Sequence, residues 1–291
     1  MRFEEIEKDK RIKKIIEILR IGGRSDRTIL NYAHSINRFL TYFNNKNIAK
    51  LNENDILKYM KHNYLNKNYS GTVYNMNICA IKYFYSINYN KEFNNKLLPS
   101  AKLSKKIPLT LDKETFIKIL NEEKNLKHKC WLLLAYCSGL RVEEVSSIKI
   151  KDINSKEHQL KVLGKRKKER FTLLPDITIK YLRLYYKYYY KKHYHYLNID
   201  DYLFRGTCSS NHINSKTITN YFTTIKKKYK LDENLTFHSL RHSFSTNFIK
   251  AGGDPFVLKS MLGHSSINTT AIYIHMGRDF NNLKGVKYGR I

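Results

Sequence analysis

No proline interrupts the first 98 residues of this chain, and apolar residues there recur every three or four positions. Proline fixes φ and removes a backbone donor. Its absence, together with a helical apolar period, makes an α-helical bundle the fold this stretch is built for. The first helix is expected through Ile12–Leu19. Gly22-Gly23 breaks it, Ser25 and Asp26 supply N-cap chemistry, and a second helix follows through Ile29, Tyr32, Ile36, Phe39, Leu40 and Phe43. A third is expected over Asp55–Tyr64. A fourth, after Ser70-Gly71, runs through Val73, Met76, Ile78, Ile81 and Phe84.

The character of the chain changes at Leu98–Pro108, LPSAKLSKKIP, where two prolines frame a basic stretch poor in apolar residues. Such a stretch disfavours helix and holds the chain extended, which makes it the expected linker. The 291 residues therefore divide into a helical domain over 1–97, a linker over 98–108 and a second domain over 109–291. In the second, helices are expected over Asp112–Glu123 and through the apolar Trp131–Tyr136 up to Gly139. The period then shortens to two. Gln159–Leu163, the basic stretch Gly164–Arg170 and Phe171–Leu174 read as a β-hairpin with a cationic turn. Helices dominate from Ile177 on. The run YLRLYYKYYYKKHYHY is expected as a long helix whose tyrosines face the core, in preference to a base-stacking platform. The fold class is thus two-domain, all-α first and mixed α+β second, mostly helical with a small β-sheet.

Charge narrows the partner. The chain carries 54 Lys+Arg against 25 Asp+Glu, net +29, and basic side chains outnumber acidic ones by about two to one in both halves. That distribution suits a polyanion held from two sides better than a basic tail on a neutral body. Hydrophobic content of 42% with 13% aromatics excludes a disordered chain. Cys79, Cys130, Cys137 and Cys208 lie far apart without a CxxC pair, which fits a reducing compartment and neither a disulfide framework nor a zinc site. The N-terminus, MRFEEIEKDKRIKK, lacks an apolar targeting core, and no segment approaches ~18 uninterrupted apolar residues. The expected setting is cytoplasmic, with no membrane partner.

Five polar residues carry the chemistry: Arg141, His238, Arg241, His264 and Tyr273, in the strings CSGLRVEEV, FHSLRHSFST and LGHSSINTTAIYIH. Arginine presents a planar fork of donors that fits two phosphate oxygens at once. Histidine exchanges a proton near neutral pH, and a phenol can attack phosphorus and hold the product covalently. Together they suffice to break a phosphodiester without a metal. Taken singly, Arg141 after Gly139-Leu140 fits a helix C-cap or a surface residue. Tyr273 is one of 23 tyrosines and stands out only by lying nine residues after His264. His238 and His242, four apart on a helix, could hold a metal. However, HSLRH lacks the glutamate of HExxH, and Arg241 between the imidazoles repels a cation. No metal and no cofactor are expected.

These strings resemble the tyrosine site-specific recombinases, among which the Xer resolvases and phage integrases are the nearest groups. The family pattern is an Arg in a G-L-R-x-x-E turn, a Lys on a β-hairpin, H-x-x-R-H, L-G-H and a C-terminal Tyr. The Lys of that pattern falls at Lys165, 24 residues after Arg141. The turn departs from the pattern by having Arg166 where glycine is usual, which leaves Lys167 and Lys168 as alternatives. The resemblance implies that residues 1–97 form a SAM-like core-binding domain that clamps DNA and that 109–291 form the catalytic domain. It implies further that Arg141 and Arg241 grip the scissile phosphate, His264 donates to the same oxygens, His238 assists deprotonation of Tyr273, and Lys165 protonates the departing 5′-oxygen. Glu144 and His242 would help position the site. The expected product is a 3′-phosphotyrosyl DNA, resealed without ATP or metal. The expected partners are double-stranded DNA and further copies of the chain, a dimer on each site and a tetramer in synapsis. Two other functions fit the same residues less closely: a type IB topoisomerase-like relaxing enzyme, and a DNA-binding regulator of this fold that has lost its chemistry.

Overall fold

The computed structural model describes residues 6–44, 47–66, 69–103, 107–164, 169–190, 198–206 and 212–263. The chain forms two compact units, Met1–Lys106 and Ile107–Ile291. Among the described residues of the first, the α-helices are α1 (Lys10–Ile21), α2 (Asp26–Tyr42), α3 (Glu53–Asn66) and α4 (Gly71–Tyr89). Asp9, Ser25 and Ser70 cap α1, α2 and α4 by accepting from backbone N–H groups of the first turn. Ile12, Ile15, Ile16 and Leu19 of α1 are buried against Ile29, Ile36 and Phe39 of α2 and Ile78, Ile81 and Phe84 of α4 in one apolar core. An aromatic cluster of Phe39, Tyr59 and Tyr85 lies within it, and Tyr85 satisfies its hydroxyl on the Ile48 carbonyl at 2.7 Å.

The proline-framed stretch begins as part of this unit. Leu98 is buried in the core, Lys82 donates to its carbonyl at 3.0 Å, and the Asn75 carboxamide both donates to and accepts from the backbone of Ala101 at 3.1 and 2.7 Å. One side chain thus gives an extended backbone the pair of bonds that a neighbouring strand would give.

The second unit comprises α5 (Lys113–Glu122), α6 (Leu126–Ser138), the short α7 (Val142–Ser146), strands β1 (Ile153–Asn154), β2 (Gln159–Leu163) and β3 (Glu169–Leu173), then α8 (Asp176–Tyr185), α9 (Ser215–Lys228), α10 (Phe237–Lys250) and α11 (Pro255–Leu262). The three strands form an antiparallel sheet in the order β1-β2-β3. Helix α6 lies at the centre and is buried on all sides from Cys130 to Ser138, which explains why it shows an apolar run and no amphipathic stripe. No helix among the described residues is long and apolar enough to cross a membrane.

Two local expectations are corrected. The basic turn of the hairpin is shorter than its composition suggests. Arg170 is a β3 residue that pairs with Val162 and points inward beside Leu160 and Thr172, because β alternation carries the even-numbered positions to the core face. The tyrosine-rich run is not one regular helix either. After α8 the backbone widens into a π-helical turn over Tyr186–Tyr190. That turn buries Tyr190 at 1% exposure while Tyr188 stands 58% exposed. The core-facing role holds for Tyr185 and Tyr190, and residues 191–197 lie outside the described residues.

Candidate active site

The site is built where α6, α7, β3, α10 and α11 meet. Helix α6 ends at Gly139, whose φ of +69° is left-handed; a Cβ there would come within 2.5 Å of the Phe244 ring. Glycine is therefore required on both counts, and it turns the chain so that Arg141 opens α7. The backbone N–H of Arg141 donates to Glu144 Oε2 at 2.8 Å and its Nη1 donates to Oε1 at 2.9 Å. This capping arrangement makes Glu144 the first anchor of Arg141, with the Arg141 side chain 35% exposed. Arg241, on α10, lies beneath, with 1% of its surface exposed. Its guanidinium donates through Nη1 to the Gly139 carbonyl at 2.7 Å and through Nη2 to the Leu262 carbonyl at 2.6 Å. Both acceptors stand at helix C-termini, where carbonyls without a helical partner favour a cation.

Glu144 is the hub. Arg170 meets it in a bidentate pair, Nη1 to Oε1 at 2.7 Å and Nη2 to Oε2 at 2.8 Å, and Arg241 Nη1 stands 3.6 Å from Oε2. Burial by itself raises the Glu144 carboxyl. The hydrogen bonds and charge of Arg170, the Arg141 backbone N–H and the charge of Arg241 outweigh it and hold the group at about 2. Three guanidiniums around one ionised carboxylate leave the cluster with a surplus of positive charge, which suits an anion.

His238 and His242 sit one turn apart on α10 with ring centroids 4.6 Å apart at 85°. Burial lowers both pKa values. For His238 the charges of Arg241 and Arg141 lower it further, and for His242, at about 4, His238 and Arg241 do so. A neutral imidazole at pH 7 is the form a general base needs. His128, half-buried on α6 against Tyr221 of α9, is lowered as well, chiefly by its partial burial. A consequence for stability follows from the sign. An unfolded histidine binds its proton near pH 6.5, before these folded ones do, so stability present above that pH is lost as pH falls toward their folded values. The urea midpoint is expected to fall between pH 7 and 5, above the range in which Glu144 contributes a loss of its own. His242→Gln should fall less over the same interval, and equal falls for the two proteins would refute the assignment to His242.

Of the expected site residues, the structure brings Arg141, His238 and Arg241 together with Glu144 and His242. Lys165, Lys167, Lys168, His264 and Tyr273 lie outside the described residues, although Gly164, Glu169 and Gly263 beside them are in place. Arg170 was not singled out from the sequence, where it closes a basic run. The alternation of Leu160 and Val162 across the hairpin was the signal that could have placed it inside.

Residues 12–94 match the phage integrase N-terminal SAM-like domain, and residues 110–278 match the phage integrase family. The chain is 28% identical over 287 residues to the tyrosine recombinase XerD of Staphylococcus haemolyticus, covering 92% of this chain and 94% of that protein. It is 30% identical over 279 residues to the tyrosine recombinase XerA of Pyrococcus horikoshii, covering 93% and 90%. Among solved structures, XerH site-specific recombinase bound to palindromic difH substrate in a post-cleavage complex is similar, with a TM-score of 0.73 at 21% identity over 92% of this chain and 81% of that one. The crystal structure of XerA recombinase matches with a TM-score of 0.52 at 25% identity, covering 96% and 100%.

Proposed function

Because this chain belongs to the phage integrase family and is a tyrosine recombinase, we propose that Arg141, Lys165, His238, Arg241, His264 and Tyr273 are the residues with which it cuts and rejoins duplex DNA. The observation that carries this reading is the cluster of Arg141, Arg241 and neutral His238 around Glu144. Two guanidiniums whose positions are fixed before substrate arrives stabilise charge on the non-bridging oxygens of a pentacoordinate phosphorus without reorganising. The Tyr273 oxygen attacks phosphorus, its proton passes to His238, and His264 donates to the non-bridging oxygens. The bond to the 5′-oxygen breaks and Lys165 supplies that oxygen's proton. The 3′-phosphotyrosyl bond keeps the energy of the original diester, so a second 5′-hydroxyl can reverse the step with neither ATP nor metal.

Residues 1–97 act as the core-binding, DNA-clamping domain, 98–108 as the linker and 109–291 as the catalytic domain. Two copies occupy one site and four form the synapse, since strand exchange needs two duplexes and a nucleophile for each strand. The free cysteines Cys79, Cys130 and Cys137 and a DNA substrate suit the cytoplasm.

The proton donor is the part of this mechanism most open to test. A 5′-phosphorothiolate leaves as a thiolate and needs no proton. Lys165→Ala is expected to be slow on the oxygen substrate and restored on the sulfur one, while Arg141→Ala stays slow on both. Single-turnover cleavage of the two oligonucleotides decides it. Restoration of Lys167→Ala or Lys168→Ala instead would move the acid along the turn.

A further inference from the structure

Arg170 belongs to none of the motifs through which the site was identified, yet it touches the structure around three of them. Its side chain is only 7% exposed, on the inward face of β3. Both its terminal nitrogens are spent on Glu144, 26 residues away in sequence, which in turn holds the backbone and side chain of Arg141. Its Nε donates to the Met261 carbonyl at 2.7 Å. The stem of the same side chain packs on Gly263, where a Cβ would meet Arg170 Cδ at 2.9 Å and where φ is +65°. Gly263 is the residue immediately before His264.

We propose that Arg170 is the positioning residue of this site, fixing the hairpin strand, Glu144 with its catalytic arginines, and the end of α11 in one register. The proposal rests on the reading of Arg141, Arg241, His264 and Tyr273 given above. The physical argument is one of competition. Glu144 is buried and ionised and therefore must be neutralised by whatever cations are at hand. Arg170, with its fork on the carboxylate and its Nε on the Met261 carbonyl, does so from β3. Remove it, and the carboxylate has only Arg141 and Arg241 as compensating cations, which draws toward Glu144 the same two guanidiniums that a phosphate must recruit. At the other end, the Met261 carbonyl loses its donor and Gly263 loses the surface that shapes its turn.

The groups facing Glu144 are Arg141 from its own turn, Arg170 from β3, Arg241 and His238 from α10, and Glu143 beside it. Without Arg170 the burial that raises this carboxyl loses its main opponent, so Glu144 should titrate within a usable pH range. Protonation would then release Arg141 and Arg241 for the phosphate.

The test uses the full chain and a nicked duplex that traps the covalent product. Arg170→Met is expected to cleave roughly 10–100-fold more slowly than wild type, the usual loss when an outer partner of a site is removed. Its affinity for duplex should stay within about threefold, since the Arg170 donors are held by Glu144 and the Met261 carbonyl. Its pH–rate profile should gain an inflection on the acid side of neutrality that disappears in Glu144→Gln/Arg170→Met. A residue that only stabilised the fold would not move that profile. Arg170→Lys keeps a charge but cannot span two carboxylate oxygens and the Met261 carbonyl, so it should recover folding and only part of the rate. It decides the matter if Arg170→Met does not fold. Cleavage by folded Arg170→Met or Arg170→Lys within threefold of wild type overturns the proposal, as does a slow variant whose profile keeps the wild-type shape. Failure of the underlying reading looks different, because wild type itself would then form no covalent product.

Discussion

Replacing Tyr273 by phenylalanine is expected to abolish covalent capture of DNA while leaving duplex binding intact. The ring stays and only the oxygen that would attack phosphorus goes, so packing and charge are unchanged. A duplex nicked just downstream of the cleavage site loses its short 5′-hydroxyl fragment by diffusion. Resealing is then blocked and the adduct accumulates. Wild-type protein should give a denaturant-resistant protein–DNA band in EDTA and without ATP, and Tyr273→Phe should give none. An adduct formed by Tyr273→Phe would place the nucleophile on another residue. A wild-type band that required Mg²⁺ would point to a different chemistry altogether.

The second large effect is expected at Arg241. On the proposed mechanism Arg241→Ala removes a preorganised donor from the transition state, and such a loss typically costs ~10²–10³ in rate. It also leaves the Gly139 and Leu262 carbonyls without the donor they share, in a part of the molecule closed to water. Leaving buried acceptors unmade costs about 1–3 kcal/mol each, so unfolding free energy should drop by about 2–6 kcal/mol. Glu144 itself is not stranded, since Arg170 and Arg141 still neutralise it. The two consequences separate by temperature. At a temperature where the variant is fully folded, the adduct should still form at least a hundredfold more slowly. A rate that recovers once folding is secured would reduce Arg241 to a structural cation.

How much of this was legible in the sequence depended on whether the cause was local. The caps Ser25 and Ser70 and the apolar periods behind them act within a few residues, so α1, α2 and α4 could be read directly. Arg141, His238 and Arg241 could be read because their spacing within short strings is itself the signal. Glu144 was visible three residues from Arg141. Arg170 was not, because its meaning depends on register. In a run of Lys and Arg every side chain looks solvated, and only pairing of Arg170 with Val162 turns that one inward. The widened turn after α8 was hidden for a similar reason. Tyrosines at 185, 186, 188 and 190 satisfy several periods at once, and which of them goes inside is settled by packing against Phe204 and its neighbours. Leu98 looks like the start of a bare connector, and its burial depends on the apolar core formed by residues earlier in the chain.

The seat of the Arg241 guanidinium bears on how a chain of this kind can change over generations. The ends of two separate helices, α6 and α11, deliver the carbonyls that hold it. Each residue added to or deleted from a helix turns its terminus by about 100° and shifts it by about 1.5 Å. A single-codon insertion or deletion within either helix would swing its carbonyl off the cation, however conservative the residue involved. Substitutions along α6 and α11 can accumulate as long as volume is kept, whereas their lengths are locked to the cation. Length variation is therefore expected to collect in the connections, such as that between α8 and α9, while these two helices keep a constant residue count in every active descendant.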